Sequence, residues 1–229
     1  MANSMFGSVR KYRIRFDGIT PLIVHHDNKK HQDFIKKYLK DPANKRKSVP
    51  GDDRYPPMSW VGRCYFDAGV LAMPSDNIGS MLCEAGAKCP TGVKQGTFKR
   101  IIVGGLVQDK MSTPILVQGS KILAKDLFDQ FYDEALTFEE HEARVLEMGF
   151  ELFGHPAGVN GKKHYRIRPR FDTWAVEFTV SVFDETLTEE ILNLILFQGG
   201  AYCGLCDWRP SSPKKPGHFG RFTHKLTLI

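Results

Sequence analysis

The chain has no apolar run of about 18 or more residues, so no transmembrane helix is expected. Its first residues, MANSMFGSVRKYRIRF, lack the apolar core of a signal peptide. A cytoplasmic protein with no membrane partner is therefore expected. Cysteine is scarce and odd in number: Cys64, Cys83, Cys89, Cys203 and Cys206 fall at irregular spacings, which argues against a secreted disulfide framework. Cys203 and Cys206 have C-x-x-C spacing, but no second pair completes a tetrahedral metal set. Also absent are a P-loop, a dinucleotide fingerprint, H-E-x-x-H, a nucleophile elbow and any periodic repeat. No metal and no cofactor are expected.

With 229 residues, 41% of them hydrophobic, the chain can bury the core of one large domain. The formal charge of +6 favours an anionic partner, and its distribution decides which one. Val9 to Phe16 alternates with period two, setting Lys11, Arg13 and Arg15 on one face of a strand and Tyr12, Ile14 and Phe16 on the other. His164 to Phe171 repeats the pattern with Arg166, Arg168 and Arg170. Period-two cations on strands neutralise phosphates without any catalytic geometry.

A helix is expected from His31 to Leu39 within a lysine-rich span, and 41–57 reads as a mobile insertion. Trp60 to Val70 reads as extended. Pro74-Ser75-Asp76 caps a helix from about Asn77 to Lys88, and 86–96 is a loop. Ile101 to Val107 and Pro114 to Val117 have strand length, whereas Leu127 to Phe153 suits helical or irregular structure. Thr173 to Phe183 alternates strongly, a capping-box-like Thr186 to Glu189 opens a helix to about Gln198, and Phe222 to Ile229 closes a sheet. This order predicts an α+β fold: a single domain over 1–229 with a ferredoxin-like, RRM-related antiparallel sheet backed by helices, with insertions.

The run Gly199 to Phe222 combines glycines, aromatics and cations. Gly204 allows close backbone approach. Arg209, Lys214, Lys215, His218 and Arg221 offer contacts to phosphate, and Trp208 and Phe219 offer faces for base stacking. Lys94, Lys99 and Arg100 form a second basic finger. The competing readings are a plain surface loop closed by a hairpin, and a solvated face whose arginines pair with local carboxylates.

Ile19-Thr-Pro-Leu-Ile-Val-His25, Arg168-Pro-Arg-Phe-Asp-Thr-Trp174 and Gly204-Leu-Cys-Asp-Trp-Arg-Pro210, followed by Phe219-Gly-Arg-Phe222, resemble a group of phage-encoded proteins. That group in turn resembles the RAMP superfamily of CRISPR-associated proteins, especially backbone subunits that assemble along a guide RNA. The resemblance implies a non-enzymatic protein that binds single-stranded RNA or DNA with low sequence specificity, as a homo-oligomer along the strand, in the host cytoplasm if phage-encoded. Cys206 stands where that group has glycine, and the paired RNP aromatics of a true RRM are absent. Two alternatives remain. One is a RAMP-type endoribonuclease using His25 and His26. The other is a protein–protein module such as a phage inhibitor or structural subunit.

Overall fold

The computed structural model describes residues 9–159, 162–213 and 215–229. In chain order its first elements are β1 (Arg10–Gly18), β2 (Leu22–Ile23), α1 (Lys29–Tyr38), α2 (Pro42–Lys47), a 3₁₀ turn (Pro57–Arg63), β3 (Phe66–Asp67) and β4 (Val70–Pro74). Then come α3 (Ser75–Gly86), α4 (Lys99–Gly105), β5 (Leu106–Gln108), β6 (Ser112–Val117), β7 (Ser120–Lys121), α5 (Ala124–Phe131) and α6 (Phe138–Glu147). The chain finishes with β8 (Glu151–Val159), β9 (Lys162–Phe171), β10 (Trp174–Val182), α7 (Glu189–Gln198), a π-turn (Gly199–Cys203) and β11 (Phe222–Leu228). These elements divide into two compact units. The first takes Met1–Leu22, Met73–Ile115 and Trp174–Ile229, and the second takes Ile23–Ala72 and Leu116–Thr173.

The first unit is an antiparallel sheet backed by helices. β1 lies between β10 and β11, with Ile14 opposite Phe178 on one side and Leu226 on the other. β10 continues the sheet to β6 and also pairs with β5. The period-two pattern buries Tyr12, Ile14 and Phe16, and Phe16 stacks on Phe222 at 4.0 Å and meets Phe178 edge-on at 5.1 Å. α3 buries Ile78, Met81, Leu82 and Ala85 and packs against α7, which buries Leu192, Ile195 and Leu196. The π-turn after α7 approaches α3 so closely that a Cβ on Gly199 would sit 2.3 Å from Met81 Sδ. Any larger residue there would force Met81 or the turn to shift.

The second unit holds the long hairpin β8–β9, running from the pair Glu151–Arg170 to the pair Val159–Lys162. Val24 N donates to Pro169 O at 3.3 Å, which adds the Ile23–Val24 chain to β9. Around the 3₁₀ turn, buried Trp60 meets Phe131 at 5.0 Å and Phe150 at 5.8 Å, and α1, α5 and α6 all pack on that turn.

Several segments differ from the sequence expectation. The stretch 60–70 is not one extended segment: Pro57 opens a 3₁₀ turn, because proline fixes φ at a helical value, and buries Trp60 inside it. Ile101 to Val107 is mostly α4. A Cβ on Gly86 of α3 would lie 2.3 Å from Ile102, so close helix packing overrides the β-preference of the Ile-Ile-Val run. α3 begins at Ser75 after Pro74, with no side-chain cap. Within 41–57, Asp41 caps α2 with Pro42 in its first turn, and Asp53 N donates to Tyr165 O at 2.9 Å. The capping residue of α7 is Thr188, whose hydroxyl accepts from Ile191 N at 3.4 Å.

Candidate nucleic-acid interface

On the first unit's sheet, the face opposite Tyr12, Ile14 and Phe16 carries exposed Lys11 and Arg13 and half-buried Arg15. Their neighbours on β10 are Ser181, Thr179 and Glu177. Arg15 binds Asp17 at 2.8 Å, an interaction that holds its pKa above the ordinary guanidinium value, and Arg13 lies 4.0 Å from Glu177. Lys11 is close enough to Asp109 to help hold that carboxyl below its usual range, although the Ser181 hydroxyl contributes more. Lys11, Arg13 and Arg15 thus each have a carboxylate nearby.

Arg166, Arg168 and Arg170 lie in the second unit, in the separate sheet built on β8 and β9. Arg166 binds Asp53 at 3.2 Å, and Arg170 binds Asp172 at 2.8 Å and Glu151 at 3.0 Å. Arg168 is half-buried. The two basic strands therefore do not form one continuous basic sheet.

The glycine-rich run is tied down by its own backbone. Leu205 N donates to Gly220 O at 2.9 Å and Gly204 N to Gly199 O at 2.8 Å, with Gly204 at φ +73°. Arg209 donates to Glu84 at 2.7 Å, to Ser211 at 3.0 Å and to Cys206 O at 3.2 Å, so its charge anchors the loop to α3. Half-buried Trp208 meets Phe219 at 5.5 Å, and Lys215 Nζ lies 5.7 Å from the Trp208 ring. His218 is exposed and Arg221 is half-buried. Lys214 lies outside the described residues. Burial pushes the thiols of Cys203 and Cys206 up, to about 11 and about 12, so both are protonated at neutral pH. Cys206 Sγ accepts from the Asn77 amide at 3.6 Å. Lys94 is exposed at φ +50°, and Lys99 and Arg100 are exposed at the start of α4. Lys99 acts on the Cys83 thiol while Arg209 pairs with the adjacent Glu84, so the finger and the glycine-rich loop converge on α3.

His25 and His26 sit in the second unit. His25 Nε2 lies 3.2 Å from Arg63, whose guanidinium also reaches Asp27 at 3.4 Å and Asp53 at 3.7 Å. His26 lies against Tyr65 at 4.7 Å, and burial lowers its pKa. A cavity of about 240 Å³ in the same unit is lined by α1 and the 52–63 segment; its lining includes Arg63, the neighbour of His25, but neither His25 nor His26. Two deeper histidines, His31 and His141, lie outside the sequence candidates. His31 shares a hydrogen bond with the Tyr132 hydroxyl, and His141 Nδ1 accepts from Trp60 Nε1 at 3.0 Å. Burial pushes each down to about 4, so both are neutral at pH 7.

The largest basic feature was not among the sequence candidates. Residues 29–47 hold eight cations, Lys29, Lys30, Lys36, Lys37, Lys40, Lys45, Arg46 and Lys47, against Asp33 and Asp41. Their net +6 equals that of the entire chain, so the remainder is neutral. All eight are exposed, and among the described residues their one ion pair is Lys36 with Asp33 at 3.6 Å. A running count of charge would have found this segment.

Among the described residues, no group of three or more His, Cys, Asp or Glu side chains could hold a metal ion, and no helix is long and apolar enough to cross a membrane. Compared with known proteins, the chain matches no family model and no curated protein.

Proposed function

We propose that the protein binds single-stranded nucleic acid without cleaving it, with low sequence specificity, in the cytoplasm, and that copies line up along the strand. The observation that carries this reading is the net +6 on residues 29–47, presented as exposed cations that almost entirely lack carboxylate partners. Such cations release counterions from phosphates without first breaking an internal pair. The loop face supplies Trp208 and Phe219 for stacking, with Lys215 beside them. The first unit reads as ferredoxin-like: β1, α3, β6, β10, α7 and β11 follow one another in the chain, and the sheet order is β11-β1-β10-β6. Cys206, which departs from the glycine of the resembled phage group, stands at φ +59°, a backbone setting that favours glycine.

Fluorescent single-stranded RNA, single-stranded DNA and duplex of graded length, titrated across a salt series, test the proposal. Single strands should bind with affinity that steps with length and falls as salt rises. Replacing Lys45, Arg46 and Lys47 together by alanine should reduce the salt slope by about 2, at about 0.7 per lost phosphate contact. No binding to any strand at low salt would overturn the reading.

A further inference from the structure

The charge of the second unit is segregated. Against the basic α1–α2 segment stand residues 124–147, which span α5 and α6 and hold Asp126, Asp129, Asp133, Glu134, Glu139, Glu140, Glu142 and Glu147 against only Lys125 and Arg144, a net −6. None of these carboxylates forms an ion pair among the described residues, so no direct ionic contact ties the acidic segment to the basic one within one copy. Between them runs a continuous line of rings. Phe34 of α1 meets Tyr132 at 5.2 Å, Tyr132 meets Phe128 of α5 at 5.3 Å, and Phe128 meets Phe66 at 5.4 Å. Phe34 is 37% exposed and Phe128 42%, with Leu123 at 46% and Leu146 at 59% on the acidic side. On α1, Lys30 and Lys37 are four residues before and three after Phe34, and so share its helix face.

An apolar, aromatic centre with a charged rim is the composition of a protein–protein contact. Here the rim is positive at one end and negative at the other. A surface with that polarity is its own complement under a two-fold rotation, which places the basic end of each copy over the acidic end of the other and meets ring against ring. We propose that this surface binds a second copy of the chain as a two-fold dimer centred on Phe34, Tyr132 and Phe128. The proposal does not rest on nucleic-acid binding. It differs from alignment along a strand, because an isologous contact closes at two copies and forms without a template.

The test is sedimentation velocity on the full chain free of nucleic acid, over a range of protein concentration at 50 and 500 mM salt, these being about the span over which screening removes surface attraction. A monomer–dimer equilibrium that weakens with salt is expected. Lys30→Glu with Lys37→Glu, and separately Asp129→Lys with Glu134→Lys, should each weaken dimerisation at least about tenfold, because like charges then face each other twice. An equimolar mixture of the two variants should restore the dimer, because each contact is again between opposite charges. Phe34→Ser with Phe128→Ser should abolish it at both salts, with an unchanged circular dichroism spectrum to establish folding. A monomer at every concentration, a series of species beyond the dimer, or a dimer indifferent to these substitutions would overturn the proposal. Loss of strand binding alone would leave it standing.

Discussion

Lowering the pH from 7 to 5 should destabilise the second unit by about 4 kcal/mol, through its two buried histidines. His31 is 8% exposed and His141 fully buried, and each has its pKa lowered to about 4 by burial. In the unfolded chain both return to an ordinary value of about 6.5. Between these limits the unfolded state binds more protons than the native state, so stability falls as pH falls through the window from about 6.5 to about 4 and is intact above it. At pH 5 the imbalance is worth about 2 kcal/mol per histidine relative to pH 7, at 1.36 kcal/mol per pKa unit. The loss is distinct from carboxylate protonation, which mostly begins lower. Urea unfolding followed by tryptophan fluorescence at pH 7, 6 and 5 measures it, because Trp60 donates directly to His141. His141→Gln, which retains a hydrogen-bond acceptor but cannot titrate, should be less stable at pH 7 and should lose only about half as much on acidification. Equal urea midpoints at pH 7 and pH 5 in the parent protein would refute the reasoning.

Gly199→Ala should lower stability by about 1–3 kcal/mol, as overpacking does, because its methyl would meet Met81 Sδ; a thermal melt reports it, and an unchanged midpoint would mean that the π-turn yields freely. Arg209 and Lys215 should separate structure from binding. Arg209→Ala leaves Glu84 without its guanidinium and should lower the urea midpoint, by about 1–3 kcal/mol in stability. Lys215→Ala removes an exposed charge and should change stability by no more than about 0.5 kcal/mol while weakening oligonucleotide binding.

Residues whose partners are near in sequence, or set by a simple period, were legible. β1 and β10 announced themselves by alternation, and α7 by a threonine before an apolar stretch. The 3₁₀ turn has too few residues to show a period, and the Ile-Ile-Val run of α4 reads as strand until the close approach of Gly86 to Ile102 is known. The candidate site was readable in kind but not in partnership. Arg166 pairs with Asp53, 113 residues away, and Arg209 with Glu84, 125 residues away, and no spacing rule reaches that far. The charge on 29–47 was open to counting. Strand alternation does not reveal it, because helical and loop cations make no period-two pattern.

The first unit is made from three separated stretches of chain, and this has a consequence for biosynthesis. β1 leaves the ribosome well before its neighbours β10 and β11, with Arg10 opposite Val182 and Tyr12 opposite Leu228. The second unit ends at Thr173, before either neighbour exists. Vectorial synthesis therefore allows the second unit to fold while β1 is still unpaired, and the closing of so long a loop is entropically slow. A ribosome stalled after Thr173 would present a nascent chain in which β1 lacks both of its partner strands, which makes it a substrate for chaperones during translation.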